Sequence, residues 1–337
     1  MPANAPPMVI VRTHGRIGHI TLNRPQALNA LDLSMIRVIA TALAAWREDP
    51  SVHAVVLDAA GERAFCAGGD VRTLRSLVLA GDHAAVEAFF VEEYALNLAI
   101  ARYPKPYVSL IDGICMGGGI GLSVHGAVRV ATEGASFAMP ETVVGLFPDV
   151  GATFILPRLR GVFGMYLALT SARVGGADAA WLGLATHFVP RERIRGLAED
   201  LAEHGVAALA AAAVSPPPGE MAGLESAIAG FGGGSVGEIM QALERMDTDW
   251  SRTMLATLRA VSPTSLLWTF EIVRAGGGRT LEQCQQAELA LTRHATRHPD
   301  FAEGVRAMVV DKDRAPRWSP PRLEDVDPAF IAAMFRS

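Results

Sequence analysis

The sequence predicts an α/β fold with a helical C-terminal module, and three observations carry that reading. Short apolar strands alternate with helical patterns as far as about residue 190. Two glycine-rich turns, Ala67-Gly68-Gly69-Asp70 and Gly117-Gly118-Gly119-Ile120-Gly121, each follow such a strand. Beyond about Ser215, helical periodicity dominates.

The elements follow in order. Val9-Ile10-Val11 and His19-Ile20-Thr21-Leu22 flank a turn region holding Gly15 and Gly18, which is the pattern of a β-hairpin. Met35, Ile36, Ile39, Leu43 and Trp46 recur at helical spacing behind Asp32, whose carboxylate suits an N-cap. Ala54-Val55-Val56-Leu57 reads as a short buried strand. A long helical stretch runs from about Asp82 to Ala101 and stops before Pro104 and Pro106. Val108 to Ile111 forms a strand that leads into the second glycine turn and a short helix, and Val128 to Ala131 forms another strand. Ser215-Pro-Pro-Pro-Gly and Phe231-Gly-Gly-Gly-Ser punctuate a loop-rich connection. After it, Met240 to Met246, Thr253 to Val261, Ser265 to Val273 and Leu281 to Thr296 read as helices. The expected domains are a core over residues 8–200 and a helical module over 215–337. No repeat with a solenoid period is present.

Composition narrows the function. Half of the 337 residues are hydrophobic and 19% are charged, a globular balance that excludes a disordered chain. Thirty Lys and Arg against 35 Asp and Glu give a net charge of −5, without the basic footprint of a nucleic-acid binder. Three scattered cysteines form neither a disulfide framework nor a metal-binding pair, which points to a reducing compartment. The stretch Met1-Pro-Ala-Asn-Ala-Pro-Pro lacks the features of a signal or transit peptide. The alanine-rich apolar run at 206–214 is far shorter than the roughly 20 residues of a membrane span. The expectation is a cytoplasmic protein with no nucleic-acid or membrane partner.

Glycine turns without side-chain bulk let backbone N–H groups approach a ligand closely, and two converging turns can present two donors to one oxygen, an oxyanion hole. The same turns also serve as plain strand-to-helix connections. No register of the second turn fits G-x-G-x-x-G, so a dinucleotide site fails. Between Phe137 and Gly151, Glu141 and Asp149 are the only charged residues in an apolar segment with no neighbouring base. Such surroundings raise a carboxyl pKa and suit proton transfer or nucleophilic work. Ser123 and His125 miss the closing glycine of a nucleophile elbow and read as helix packing. His294 and His298 lack a third metal ligand, and Cys66 lacks an activating partner.

Asn23-Arg-Pro-Gln-Ala-Leu-Asn-Ala-Leu31, the stretch from Ala64 to Asp70 and the stretch from Met116 to Gly121 together resemble the crotonase (enoyl-CoA hydratase/isomerase) superfamily. That resemblance implies a spiral of ββα units with a helical C-terminal region, and binding of acyl-CoA thioesters. Further strings are similar to its 3-hydroxyisobutyryl-CoA hydrolase branch. They are Glu92-Glu-Tyr-Ala-Leu-Asn97, Lys105 to Ile111, Met116 to Gly126, Phe137 to Gly151, Ser262 to Leu266 and Asp300 to Trp318. Hydratases usually carry a catalytic glutamate where this chain has Gly121, and a glycine where it has Asp149. Both departures favour the hydrolase branch.

The resemblance implies roles for particular residues. The N–H groups of Ala67 and Gly118 would hold the thioester oxygen. Glu141 would start hydrolysis, as nucleophile or as general base, and Asp149 would bind the acyl 3-hydroxyl or handle a proton. Glu93 and Gly117 would lie beside the acyl group. CoA would lie along Ala27, Leu28, Asn29, Ala67, Gly68, Gly69 and Asp70, with Arg24 and Arg72 as candidates for its phosphates. No metal or cofactor is implied, CoA being part of the substrate, and family members often form trimers or hexamers. The expected substrate is 3-hydroxyisobutyryl-CoA of valine breakdown, with 3-hydroxypropionyl-CoA as a shorter neighbour. The alternatives are a hydratase or isomerase acting on another acyl-CoA, and a non-catalytic acyl-CoA-binding protein.

Overall fold

The computed structural model describes residues 6–335, so part of the N-terminal stretch read for a leader lies outside the described residues. Ten strands form within it: β1 (Val9–His14), β2 (Ile17–Leu22), β3 (Ala54–Ala59), β4 (Ala64–Cys66), β5 (Tyr107–Ile111), β6 (Ile114–Met116), β7 (Val128–Ala131), β8 (Ser136–Ala138), β9 (Val174–Gly175) and β10 (His187–Phe188). They make a six-stranded sheet in the order β1-β2-β3-β5-β7-β10 and a four-stranded sheet in the order β4-β6-β8-β9.

The β1–β2 hairpin is antiparallel, with Val9 opposite Leu22 and His14 opposite Ile17. Its turn is therefore only Gly15 and Arg16. Gly18, expected in the turn, lies inside β2 against the Trp46 ring. From β2 onward the large sheet is parallel, each strand pairing in register with the next. Parallel neighbours need crossover connections, which the intervening helices supply.

The chain divides into two compact units that interleave along the sequence. The first comprises the residues up to Gly69, Ala95–Phe137 and Val174–Glu220; the second comprises Asp70–Tyr94, Ala138–Arg173 and the residues from Met221 onward. A change of character near residue 215 thus has a counterpart at Glu220, but the second unit also draws on two earlier segments that helical periodicity alone does not mark.

In the first unit, Ile17, Val56, Val108, Leu110 and Val130 form one buried sheet face against Leu197 and Leu201 of the Arg191–His204 helix. Val55 and Leu57, which point to the opposite face, are buried too. A sheet covered on both sides reads as continuous apolar runs rather than as alternation. Each such side chain contributes roughly 1.5–3 kcal/mol on burial. Asp32 caps the Leu33–Arg47 helix as expected, accepting from the Met35 N–H at 2.9 Å.

The second unit holds the helices Val236–Met246, Asp249–Ala260, Pro263–Gly276 and Leu281–Ala295, where the apolar periodicity places them. Each begins behind a Ser or Thr whose side chain accepts a first-turn N–H: Ser235, Thr248, Ser262 and Thr280. Among the described residues, no helix is long and apolar enough to cross a membrane.

Candidate active site

The second unit gathers four carboxyl side chains. Glu93 and Tyr94 sit side by side on the His83–Ala101 helix, in a buried stripe with Val86 and Phe90. Glu141 opens a 3-10 turn, Glu141–Val144, immediately after Pro140. Gly145 ends that turn in a left-handed conformation (φ +72), and a Cβ there would collide with the Asp300 backbone. Glycine here, and at Gly304 on the helix side where a Cβ would meet the Val144 backbone, lets the Glu141 turn lie directly on the Pro299–Val305 helix. Thr142 fixes the other side, its hydroxyl 2.9 Å from that of Ser171.

Asp149 follows in the same segment. Tyr94 Oη donates to its Oδ2 at 2.6 Å and lies 3.0 Å from Thr292 Oγ1. Glu288, on the Leu281–Ala295 helix, accepts from the Gly151 N–H at 2.8 Å, the Thr153 N–H at 3.1 Å and the Thr153 hydroxyl. Relative exposures of 2% for Glu93, 7% for Glu141, 8% for Asp149 and 0% for Glu288 keep all four away from bulk water.

Burial and mutual repulsion set their protonation. Burial, then the Asp149 charge, pushes Glu93 well above the usual glutamate range. The same two causes, with Glu93 adding to them, push Glu141 well up. Burial raises Glu288 to about 7, against the hydrogen bond from Thr153. Asp149 is raised by burial only to about 6, because the Tyr94 hydroxyl and a backbone donor favour its charged form. Carboxyls packed this way cannot all ionise together. Asp149 is the first to lose its proton, while burial and the Asp149 charge favour the protonated forms of Glu93 and Glu141. Oε1 of Glu93 and Oε2 of Glu141 are buried without a hydrogen-bond partner. The set can accept, hold and pass a proton, and it can offer a carboxylate as nucleophile or base.

In the first unit the two glycine turns meet. A Cβ on Gly119 would collide with the Cys66 carbonyl, so the second turn packs onto the first only with glycine there. Gly117 stands at the N-cap of the Gly118–Val124 helix, and Gly121 is buried within it. The expected oxyanion pair needs one correction. The Ala67 N–H is donated to the Leu28 carbonyl at 3.0 Å, so Ala67 cannot serve a ligand oxygen. Two residues on, Gly69 forms an isolated parallel bridge with Leu31 through the Leu31 N–H, which bonds Gly68 O at 2.8 Å. That pairing leaves the Gly69 N–H unused.

The expected CoA residues are also engaged internally. The N–H groups of Ala27, Leu28 and Asn29 bond to Arg24 O, Pro25 O and Arg24 O. The Asn29 side chain accepts from the Arg24 N–H and donates to Ala60 O and Ala64 O, clamping the turn from within. Asp70 caps the Val71–Leu79 helix by accepting from Thr73 N. Arg24 donates to Ala30 O and Arg72 to Val309 O. What the 27–29 turn can offer a nucleotide is carbonyl oxygens and surface, not N–H donors. Among the set-aside residues, the Ser123 hydroxyl bonds back to Gly119 O and Ile120 O as a helix-packing residue, and the His298 ring packs edge-on against Trp268.

Sequence reasoning passed over Tyr94, Thr292 and Glu288. Glu288 carried a signal: with Leu281, Cys284, Gln285, Leu291 and Thr292 it lies on the buried stripe of its helix, where a carboxylate is out of place.

The family model described as enoyl-CoA hydratase/isomerase matches residues 17–335. The chain belongs to that family. Curated relatives within reach of it are named 3-hydroxyisobutyryl-CoA hydrolase, mitochondrial. The one from Xenopus laevis is 44% identical over 336 residues, covering 96% of this chain and 87% of the relative. The one from Homo sapiens is 41% identical over 351 residues, covering 98% and 88%. Solved structures of the same fold include a carnitinyl-CoA dehydratase from Mycobacterium thermoresistibile, 41% identical with a TM-score of 0.94 over 98% of this chain and 96% of that one. An enoyl-CoA hydratase from Rhodobacter sphaeroides 2.4.1 is 40% identical, with a TM-score of 0.93 over 98% and 97%. These names divide between hydrolysis and water chemistry at a double bond, so the residues must discriminate.

Proposed function

We propose that the protein hydrolyses the thioester of 3-hydroxyisobutyryl-CoA, giving 3-hydroxyisobutyrate and CoA, and that it serves valine breakdown, with 3-hydroxypropionyl-CoA as a second substrate. The observation that carries this reading is Asp149, held by Tyr94 in the same buried set as Glu141, whose Oε2 has no hydrogen-bond partner, in a chain with Gly121 where hydratases place an acid. The names of the curated relatives support the same chemistry.

Hydrolysis needs donors for the carbonyl oxygen, a nucleophile and a proton for the departing thiolate. We assign the donors to the N–H groups of Gly69 and Gly118; losing one such donor costs about 3–4 kcal/mol of transition-state stabilisation. Glu141 passes its proton to Asp149 and, as carboxylate, attacks the carbonyl carbon. The C–S bond breaks, the proton on Asp149 goes to sulfur, and water opens the mixed anhydride. The general-base route differs only in that Glu141 takes a proton from water, which attacks directly. Either way one water is consumed, and the free acid and CoA thiol leave. The unpartnered Glu93 Oε1 is assigned to the acyl 3-hydroxyl. CoA lies along the carbonyls and surface of Ala27, Leu28 and Asn29 and the turn from Ala67 to Asp70. No separate cofactor enters the scheme.

Substrate comparison tests this reading. A site built around the 3-hydroxyl turns over isobutyryl-CoA roughly 10⁴-fold less efficiently than the hydroxylated thioester. Comparable kcat/KM values for the two defeat it. The second reading, hydration or isomerisation of another acyl-CoA, is favoured by the names of the solved structures. Hydration of crotonyl-CoA without release of CoA would establish it instead. Assembly as a trimer or hexamer, by family resemblance, is read by light scattering on the eluting protein, and a cytoplasmic location by cell fractionation.

A further inference from the structure

Asp149 stands at the head of a backbone turn that its own sequence does not favour. Val150 and Gly151 both take positive φ, +54 and +80, and the Ala152 N–H closes the turn on Asp149 O at 2.8 Å. Two consecutive positive φ values make this a type I′ kind of turn, in which Asn, Asp and Gly are favoured and a β-branched residue is an outlier. A left-handed valine persists only where its surroundings over-determine it. Val150 is almost wholly buried, and the groups gripping the turn come from far along the chain.

Glu288 accepts the Gly151 N–H immediately after the strained residue, and the N–H and hydroxyl of Thr153 in the short Ala152–Ile155 helix that follows. It thus does from another helix what an N-cap side chain does locally. Thr292, one turn further along the Leu281–Ala295 helix, meets the Tyr94 hydroxyl, whose own hydrogen goes to Asp149. One helix therefore fixes Asp149 at two points: its backbone turn through Glu288 and its carboxylate through Thr292 and Tyr94.

We infer that Glu288 is a positioning residue for Asp149, holding the left-handed Val150–Gly151 turn so that the Asp149 carboxylate stays where Tyr94 and the reacting groups need it. This rests on the part assigned to Asp149 in hydrolysis. Displacing a reacting group by about 1 Å costs on the order of 10²-fold in rate.

The test compares Glu288→Ala and the conservative Glu288→Gln, each in the wild-type and the Asp149→Asn background, with kcat and KM read separately. Glu288→Ala is expected to lower kcat by about 10²-fold and Glu288→Gln by about 10-fold, with KM changed by less than about threefold. In the Asp149→Asn background the further loss should shrink to less than about twofold, because a residue acting through Asp149 has nothing left to position. Equal losses in both backgrounds would overturn the inference, since a merely structural role does not depend on Asp149. Where Glu288→Ala fails to fold, Glu288→Gln carries the same comparison. Hydrogen exchange at the Gly151 and Thr153 amides gives a readout independent of turnover: it should accelerate in Glu288→Gln, and unchanged protection would also overturn the inference. A wild-type protein that releases no CoA would defeat the hydrolase reading alone, and the exchange result would still decide whether Glu288 holds the turn.

Discussion

Tyr94 Oη stands 2.6 Å from Asp149 Oδ2 and donates its hydrogen to it. A hydrogen bond to the charged form of an acid lowers its pKa, and this one holds Asp149 down to about 6, while burial drives the Glu93 and Glu141 carboxyls well above the usual glutamate range. The first proton to leave the set therefore leaves near pH 6. An acidic limb at about that pH is expected in kcat/KM, belonging to the set as a whole. Tyr94→Phe removes the donor and should move the limb upward by about one pH unit, with little change above pH 8. A limb that stays in place would disconnect Tyr94 from the chemistry.

Stability should carry the opposite mark of the same burial. Asp149 binds its proton more tightly in the native state, where its pKa is about 6, than in the unfolded chain, where it is near 3.8. Glu288, at about 7 against 4.5, does the same. The native state thus holds more protons, and its stability declines as pH rises from about 4 to 7. Asp149→Asn removes one such group and should stabilise the fold by on the order of 2–3 kcal/mol at pH 8, with little effect at pH 4. Thermal unfolding at the two pH values reads this directly; equal effects at both would show that ionisation is not the cause.

Gly145→Ala should be destabilising by at least about 2 kcal/mol, because the residue takes a positive φ and its Cβ meets the Asp300 backbone rather than a side chain that can move. Since Glu141 begins the same turn, kcat should fall as well. Denaturant midpoints equal to wild type would mean that the turn tolerates a lateral shift.

Gly119→Ala offers a test within the first unit. The added methyl collides with the Cys66 carbonyl and must push the two glycine turns apart. Turnover should drop by at least about 10²-fold, the scale of losing one oxyanion donor. Retained activity in a folded Gly119→Ala protein would argue against donors from these turns.

Much of this was readable from residues. The hairpin, the Asp32 cap, the strands at Ala54 and Val128 and the C-terminal helices follow from periodicity and end signals that act locally. The Val71–Leu79 helix was not anticipated: its apolar face is short, and the cap, Asp70, belongs to a motif read for ligand binding. The strands β6, β8, β9 and β10 span only two or three residues each, too few to show a period. At the candidate site, Glu141 and Asp149 were legible as carboxylates in an apolar segment. The occupied Ala67 N–H was not, because its acceptor, Leu28, lies far back in the chain and a backbone hydrogen bond leaves no trace in residue type. Tyr94 and Glu288 were missed for a similar reason: their partners are 55 and 137 residues away.

Release of CoA from 3-hydroxyisobutyryl-CoA, followed with a thiol reagent for the wild type and Glu141→Gln, bears most directly on the proposed hydrolysis. Wild-type release that falls by at least about 10²-fold in Glu141→Gln is the expected result. Release that is undiminished in Glu141→Gln, or no release while crotonyl-CoA is hydrated, would contradict it.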